Sequence, residues 1–349
     1  MRRIMALLLL IAIAPGTLLR DPPRVPSYSL RVDMTALDWP HPPPGKPDPL
    51  GPLTLTGVWQ IDSANHLFGG YSALVPLRQG RLLAIGDGGD WLCLPMGGPA
   101  RFGQVALAGP RAKRNRDSEA ATRDPASGRI WVAWEGTNSL SRHSADMARE
   151  GTVFPPAMAK WPDNRGAEAM LRLSDGRFIV TSEGGAGLPG QFFGVVFAAD
   201  PVDGAAGLPF TFQGITGYRP TDMAELPDGR VLVLMRQLLW PLPMRFAIRL
   251  GVADPAELRP GQVWRAQEIA QLDYPLPIDN FEGLAAETGR DGQPVIWLIS
   301  DDNASQFQRT LLWQLRIDMN SLPPRRSAPR KAKGAQVAPR APDALTTCP

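Results

Sequence analysis

The sequence predicts an all-β fold, a β-propeller with five visible blade repeats and a total of five or six blades. Glycine turns recur along the chain at spacings of 48, 48 and 53 residues, and a fifth follows 63 residues later. Each turn lies between two apolar runs rich in Val, Ile, Leu and Trp, which is the pattern of a hairpin. A repeat of about 50 residues has room for the four strands of a blade. The turns are centred on Gly80, Gly128, Gly176, Gly229 and Gly292.

The last repeat lacks its fourth strand. After the run VIWLISD the sequence offers one further strand, TLLWQLRI. The early segment LTLTGVWQID, residues 53–62, has the composition of a strand and would supply the missing one. Pairing this N-terminal strand into the last blade would close the ring and cover both sheet edges.

Segments of different composition flank the predicted propeller, which spans residues 53–319. Within residues 1–21, Arg2 and Arg3 precede an apolar run, which is typical of a Sec-type export signal, and an uncleaved membrane anchor is the alternative. Residues 22–52 are rich in proline and are expected to run as an extended arm over the surface. The chain is therefore predicted to be periplasmic or secreted, and any peripheral membrane contact would use the N-terminal segment.

The formal net charge of +3 comes from the tail, residues 320–349, which holds six basic residues and one acid. The rest of the chain is slightly acidic, which argues against nucleic-acid binding by the folded part. The tail is expected to lack a fold, and it is either solvated or in contact with anionic lipid headgroups or cell-wall polymers. We expect the protein to be a monomer whose partner is a small molecule.

Cysteine and histidine are scarce. Cys93 falls in a predicted core strand and Cys348 in the tail, so the sequence predicts no structural disulfide. The three histidines are His41, His66 and His143. His143 lies in the polar segment SRHSAD and is expected to be solvated. A zinc site built on histidines and a Ser-His-Asp triad both lack the residues they need.

Carboxylates recur at two places in the repeat. Aligning the repeats on their turn glycines places one set before the turn, Ser72, Glu119, Glu168, Asp222 and Glu282, and a second set after it, Asp87, Glu135, Glu183, Arg236 and Asp301. Four of five positions are acidic in each set. In a propeller the inner strand starts, and the second strand ends, at the same end of the channel. Both sets are therefore expected to meet at one mouth.

Gathered carboxylates repel one another unless something positive joins them. One solution is Ca²⁺, which takes six to eight oxygen ligands, and the other is pairing with nearby arginines. Three repeats place an arginine three residues before the first acid: Arg116, Arg165 and Arg219. The alternative to a functional role is architectural, with the acids bonded to backbone amides of neighbouring blades. Mixed clusters of acids and arginines suit phosphate esters.

Four segments carry a resemblance to a known family: RDSEAATRDPASGRIWVAWEG, RGAEAMLRLSDGRFIVTSEG, YRPTDMAELPDGRVLVLMR and NFEGLAAETGRDGQPVIWLISDDN. They resemble the bacterial proteins described as the esterase-like activity of phytase family, over about residues 53–317. The resemblance implies an exported propeller with ester or phosphate-ester hydrolysis, and calcium by analogy with the propeller phytases. In this chain Ser72 and Arg236 depart from the acidic pattern, which favours an asymmetric site.

The leading hypothesis is a Ca²⁺-dependent hydrolase of phosphate or carboxylic esters. Its catalytic residues would be Glu119, Glu168, Asp222 and Glu282, its metal ligands Asp87, Glu135, Glu183 and Asp301, and its substrate-binding residues Arg116, Arg165, Arg219 and Arg236. The second hypothesis is a binding or scaffold propeller of the cell envelope without catalysis. A third is a propeller of the lactonase type.

Overall fold

The computed structural model describes residues 26–40, 50–77, 80–94, 99–106, 116–239, 245–289, 291–325 and 348–349. The predicted export signal and most of the basic tail lie outside these residues, as does His41. Within the described part of the chain, no helix is long and apolar enough to span a bilayer.

Strands make up almost all of the regular structure. In chain order they are β1 Asp33–Ala36, β2 Leu53–Asp62, β3 Tyr71–Pro76, β4 Leu82–Gly86, β5 Asp90–Leu94, β6 Arg101–Gln104, β7 Ser118–Arg123, β8 Ile130–Trp134, β9 Ser139–His143, β10 Arg149–Val153, β11 Ala167–Arg172, β12 Phe178–Gly185, β13 Gln191–Phe197, β14 Gly207–Gln213, β15 Arg219–Glu225, β16 Val231–Leu239, β17 Arg245–Ala253, β18 Val263–Arg265, β19 Gln267–Leu272, β20 Asn280–Thr288, β21 Pro294–Asp301 and β22 Leu311–Ile317. Short 3-10 helices accompany them in the described residues, at Glu135–Thr137, Pro156–Met158, Pro201–Asp203 and Met319–Ser321.

The strands form five sheets, which are the blades of a five-bladed β-propeller. Blades 1 and 2 consist of β3 to β6 and β7 to β10, and blade 4 of β15, β16, β17 and β19. Blade 3 contains β11 to β14, with β18 added in parallel to its outer strand. The predicted propeller is confirmed, and the number of blades is five.

Blade 5 closes the ring with strands from both ends of the chain. Its order is β20, β21, β22, β2 and β1, so β2 pairs antiparallel with β22. The predicted closure by an N-terminal strand is thereby confirmed. The described part of the proline-rich segment adds β1 to the outside of β2. Asn65 and His66 hold the chain before β1 by hydrogen bonds to the carbonyl oxygens of Ser29 and Ser27.

The hydrophobic core is divided into five clusters, one between each pair of neighbouring blades. Aromatic side chains fill these spaces: Trp131 packs edge-on against Phe178 between blades 2 and 3. Each sheet has neighbours on both faces, and this explains why the strands read as continuous apolar runs rather than as alternating ones. Glycine turns with positive φ, such as Gly128 at 78° and Gly229 at 83°, join the inner strand of a blade to the second.

The two cysteines form a disulfide, and the prediction that they would not is wrong. Cys93 on β5 and Cys348 have Cα atoms 5.8 Å apart, within the range a disulfide spans. Arg101 on β6 fixes the same place by donating from Nη1 to the carbonyl oxygen of Cys348 at 2.9 Å. A separation of 255 residues does not prevent the bond, because the C-terminus returns to blade 1. The positions of the two cysteines in the sequence do not show that the C-terminus lies against blade 1.

Candidate active site at one mouth of the channel

The inner strands of all five blades share an irregularity near their first residue. In β3, β7, β11, β15 and β20 the register with the second strand shifts by one position there, which is a β-bulge. The residues at the bulges are Ser72, Glu119, Glu168, Thr221 and Glu282. Bulges redirect side chains, and these five positions all lie at one end of the channel.

The register corrects the alignment of the fourth repeat by one residue. Thr221, not Asp222, is equivalent to Glu119 and the other bulge residues. Arg219 moves with it, because in this register it is equivalent to Asp117 and not to Arg116. The alignment on turn glycines failed because the distance from bulge to turn varies between blades, and a slip of one residue changes the side-chain direction.

The second set of positions is equivalent in all five blades. In blade 2, for example, Ser118 precedes the bulge and pairs with Trp134 on the second strand, and Glu135 directly follows Trp134. The other members hold the same place in their blades. The set is Asp87, Glu135, Glu183, Arg236 and Asp301. We call the end of the channel formed by Asp117, Glu119, Glu135, Glu168, Glu183, Arg236, Glu282 and Asp301 the acidic mouth.

Three carboxyl groups of the acidic mouth lie close together at blade 2. Asp117, Glu119 and Glu135 each offer a carboxylate oxygen within 4.8 Å of the others. Sequence analysis missed Asp117, although it follows Arg116 directly in the quoted segment RDSEAA. The spacing could have revealed it, because Asp117 lies two residues before Glu119 and next to Ser118, which pairs with the end of the second strand.

Burial and mutual repulsion raise the pKa values of these acids. Burial raises the pKa of Glu119 well above its ordinary value, and the carboxylates of Glu282 and Glu135 raise it further. The pKa of Glu168 is likewise well raised, first by burial and then by Glu119 and Glu183. Glu168 also shares a hydrogen bond with Glu135, whose own pKa is raised by burial. Two carboxyls so placed hold one proton between them.

Arg236 compensates the opposite side of the acidic mouth. Its Nη2 lies 3.0 Å from Oε1 of Glu282 and 3.8 Å from Oε1 of Glu183. Burial acts to lower the pKa of Arg236, but Glu282 and Glu183 raise it above its ordinary value, so the guanidinium stays charged. Arg219 adds a second contact to Glu183, with Nη1 2.9 Å from Oε2. Its side chain is about half exposed.

Blade 5 contributes a polar pair at the same end. Asn280 donates from Nδ2 to Glu282 at 2.8 Å and to Asp301 at 3.5 Å. The Oδ1 atom of Asn280 is buried, and no hydrogen-bond partner is found for it among the described residues. Asp301 accepts from the amide of Asn303 at 2.7 Å. Burial, followed by the charge of Glu282, raises the pKa of Asp301 well above its ordinary value.

The remaining predicted arginines and Asp87 lie at the edge of the acidic mouth. Asp87 is exposed, and its carbonyl oxygen accepts from the amide of Ser118. Arg165 is exposed, and its carbonyl oxygen accepts from Ser182 and Gly184. Arg116 is half-buried, and within the described residues its Nε has no hydrogen-bond partner.

Asp222 is buried away from the acidic mouth and bonds to backbone amides. Its carboxylate accepts from the amides of Met223 at 2.8 Å and Leu284 at 2.7 Å, and also from that of Leu74. Burial raises the pKa of Asp222 well above its ordinary value, and the three amides act against the rise. These bonds join the inner strands of blades 4, 5 and 1, which is the architectural alternative considered for the acids as a group.

His143 is fully buried, so the expectation of a solvated side chain is wrong. Its Nε2 lies 2.8 Å from Oγ of Ser141, which accepts from Nε1 of Trp134 at 2.7 Å. Burial lowers the pKa of His143 to about 4. The polar residues around it are misleading, because alternate side chains of β9 point to a face of the sheet that packs against the neighbouring blade.

The fold and the acidic mouth define a five-bladed propeller whose channel opens on a carboxylate cluster. A family model described as Phytase-like, esterase-like activity of phytase, matches residues 66–304, more than half of the chain. The chain belongs to this family, as the resemblance of its repeats predicted. No curated protein matches the sequence.

Solved structures of similar shape are remote in sequence. An aldose sugar dehydrogenase from Streptomyces coelicolor, solved with PQQ bound, aligns at 11% identity and TM-score 0.44 over 84% of this chain and 100% of that one. A gluconolactonase from Xanthomonas campestris aligns at 12% identity and TM-score 0.38, covering 80% and 100%. An endo-arabinase from Bacteroides thetaiotaomicron aligns at 11% identity and TM-score 0.48, covering 70% and 93%.

Proposed function

We propose that this protein is an exported, Ca²⁺-dependent hydrolase of phosphate or carboxylic esters, acting at the acidic mouth. The observation that carries the proposal is the division of charge there. Asp117, Glu119 and Glu135 gather three carboxylates on one side, whereas Arg236 pairs with Glu183 and Glu282 on the other. A site with one acidic and one cationic half suits an ester whose reaction develops negative charge.

The cluster at blade 2 fits a calcium ion. Ca²⁺ binds carboxylate, carbonyl and water oxygens, and three carboxylates already lie close enough to share one ion. Asp117, Glu119 and Glu135 would hold it. When bound, the ion would supply positive charge to polarise the ester oxygen. All three residues belong to blade 2, so Asp87, Glu183 and Asp301, also predicted as ligands from the sequence, are not part of this proposed set.

Arg236 is proposed to bind and orient the anionic oxygens of the substrate. Glu282 fixes one edge of the guanidinium, and its buried Nε has no partner among the described residues. Arginine offers several donors in a fixed plane, so a group fixed at one edge can bind an anion with the rest. Arg116, with its own unpartnered Nε, would assist from blade 2.

Glu168 is proposed to hold the proton that the leaving group needs. It shares a hydrogen bond with Glu135, and burial raises its pKa well above the ordinary value, which favours the protonated carboxyl. A carboxyl kept protonated by its surroundings can act as a general acid. Asp222 is left out of the catalytic set, because its oxygens already accept from three amides.

Export is proposed on two grounds. The Cys93–Cys348 disulfide suits an oxidising compartment, such as the periplasm or the cell exterior. The first 21 residues have the sequence pattern of an export signal.

A binding propeller without catalysis is the second candidate, and one observation favours it. Several channel carboxylates accept from amides of the neighbouring blade, as Glu135 does from Gly166 at 3.2 Å and Glu225 does from Ser174 at 2.7 Å. Such bonds would be kept for architecture even if no reaction took place.

A calcium titration of the full chain tests the proposal. The protein is first stripped of metal with EDTA, and binding is then measured by calorimetry. Glu119→Gln is expected to weaken Ca²⁺ binding by about tenfold or more, the equivalent of one charged ligand. Glu287→Gln is the matched control, since Glu287 lies on the inner strand of blade 5 and accepts a hydrogen bond from Nε1 of Trp297 on the second strand. Turnover is then measured with 4-nitrophenyl phosphate and 4-nitrophenyl acetate.

The outcomes separate the candidates. Calcium binding with calcium-dependent turnover, both lost in Glu119→Gln, supports the hydrolase. Calcium binding without turnover of any ester supports the binding propeller. Turnover that is unchanged in Glu119→Gln and Glu168→Gln would remove both residues from the mechanism.

A further inference from the structure

The channel has a second chamber at the end opposite the acidic mouth. A cavity of about 650 Å³ opens there, lined by the last residues of the inner strands of all five blades. We call it the far chamber. Residues from β3, β7, β11, β15 and β20 line it, among them Leu74, Leu171, Met223 and Leu284. Its volume lies within the range of small-molecule pockets.

Asp222 separates the far chamber from the acidic mouth. The register-equivalent residues of the other blades are small: Ala73, Ala120, Ala169 and Gly283. Small side chains at these positions leave space in which the carboxylate of Asp222 reaches the amides of Leu284 and Leu74. Those two residues also line the far chamber. The bonded carboxylate of Asp222 therefore lies between the acidic mouth and the far chamber, so a ligand of the far chamber does not need the acidic mouth.

The walls of the far chamber are apolar, and its charged rim is already paired. Leucine, valine, methionine and alanine side chains form most of the lining. Oδ1 of Asp124 lies 3.4 Å from Nη1 of Arg172, and Glu287 accepts a hydrogen bond from Nε1 of Trp297 at 2.9 Å. Glu225 accepts from both the amide and the hydroxyl of Ser174. A charged ligand would have to break one of these pairs in a half-buried place, and this disfavours it.

We propose that the far chamber is a binding site for a neutral small molecule with an apolar body and one hydroxyl or carbonyl group. The apolar body would contact the leucine and methionine walls, and the polar group would reach the oxygens and amides of the rim. Ligands of this kind gain most of their affinity from buried apolar area. Binding does not depend on calcium or on ester hydrolysis at the acidic mouth.

Fluorescence titration with Nile red, a neutral apolar dye, tests the proposal on the full chain. One saturable site is expected, with displacement of the dye by octanol and not by octanoate or octylamine. Ala286→Phe, which places a large side chain in the lining, is expected to weaken dye binding by about tenfold. Thr288→Trp at the exposed rim should also weaken it without touching the core.

Two controls make the result decisive. Ala157→Phe is the matched variant, because Ala157 is also a partly buried alanine but packs between blades 2 and 3, away from the channel. Dye affinity should be unchanged in Ala157→Phe and in Glu119→Gln. Equal affinity in the wild type, Ala286→Phe and Thr288→Trp, displacement by octanoate or octylamine, or absence of saturable binding would each overturn the proposal.

Discussion

Arg236 makes the charge distribution of the acidic mouth asymmetric. At the position it occupies, the other four blades carry an acid: Asp87, Glu135, Glu183 and Asp301. One reversal of charge places a cation among the carboxylates of the ring, where it pairs with Glu282 and Glu183. A fully acidic ring would hold cations without orienting a substrate.

The buried imidazole of His143 predicts how stability depends on pH. Burial lowers its pKa from 6.5 to about 4, so below 6.5 the unfolded chain takes up a proton that the native protein does not. Stability is therefore lost as the pH falls from 6.5 to about 4, by up to about 3 kcal/mol. His143→Asn should flatten this part of the pH profile.

Urea unfolding of both proteins at about pH 7 and about pH 4.5 measures the effect. The carboxylates titrate alike in the two proteins, so the difference between them isolates the histidine. An identical loss of stability in His143→Asn would show that other groups cause it.

The bulge at the start of each inner strand sets which side chains face the acidic mouth. It places Glu119, Glu168 and Glu282 there, but in blade 4 it places Thr221. One extra residue per strand therefore decides whether an acid is part of the site or part of the framework. In blade 4 the acid, Asp222, follows the bulge and bonds to backbone amides of the inner strands.

Removing the carboxylate of Asp222 is expected to destabilise the propeller strongly. Asp222→Ala leaves three buried amides without an acceptor, which costs about 3–5 kcal/mol in the free energy of unfolding. Thr221→Val, at the neighbouring bulge position, should cost under about 1 kcal/mol, because its hydroxyl makes only a long contact with the carbonyl oxygen of Leu234. Chemical denaturation of the two variants compares them directly. Equal losses would contradict the framework role of Asp222.

Blade 5 depends on the N-terminal strand. Leu53, Leu55, Val58 and Ile61 of β2 are buried, and each contributes roughly 2 kcal/mol to stability. Their sum rivals the whole stability of an ordinary domain. A chain that starts after residue 63 is therefore expected to lose its cooperative melt and to aggregate through the free edge of β22.

A chain starting at residue 26, which keeps β1 and β2, is the control for this truncation. Size-exclusion chromatography and thermal melting distinguish the two chains. A monomeric shorter chain with the same melting temperature would show that the ring does not need its N-terminal strand.

The whole molecule is closed twice, once by β2 and once by the disulfide. The bond between Cys93 and Cys348 spans 255 residues and joins the C-terminus to blade 1. Cross-linking distant parts of a chain removes entropy from its unfolded state. Both closures connect chain ends to the ring rather than one blade to the next.

Loss of the disulfide is expected to lower stability by about 2–4 kcal/mol. Cys348→Ala and reduction of the wild type should lower the melting temperature by the same amount, and reductant should not affect the variant further. Differential scanning calorimetry with and without reductant measures both. A melting temperature that does not respond to reductant would show that the bond contributes nothing to stability.

The sequence by itself determined the propeller, its closure by residues 53–62 and the family. Hairpin turns and apolar runs are local features, and their repetition makes the architecture readable without coordinates. It also determined that acids such as Glu119 and Glu135 belong to one end of the channel, since strand direction follows from the order of the repeat.

Only the tertiary structure decided which acids belong together. The bulges shift register by one residue, a change invisible when repeats are aligned on their turns, so Asp222 was placed with the site and Asp117 was missed. The disulfide, the burial of His143 and the far chamber depend on contacts between residues far apart in the chain. Local sequence patterns do not contain such contacts, because packing between blades brings them about.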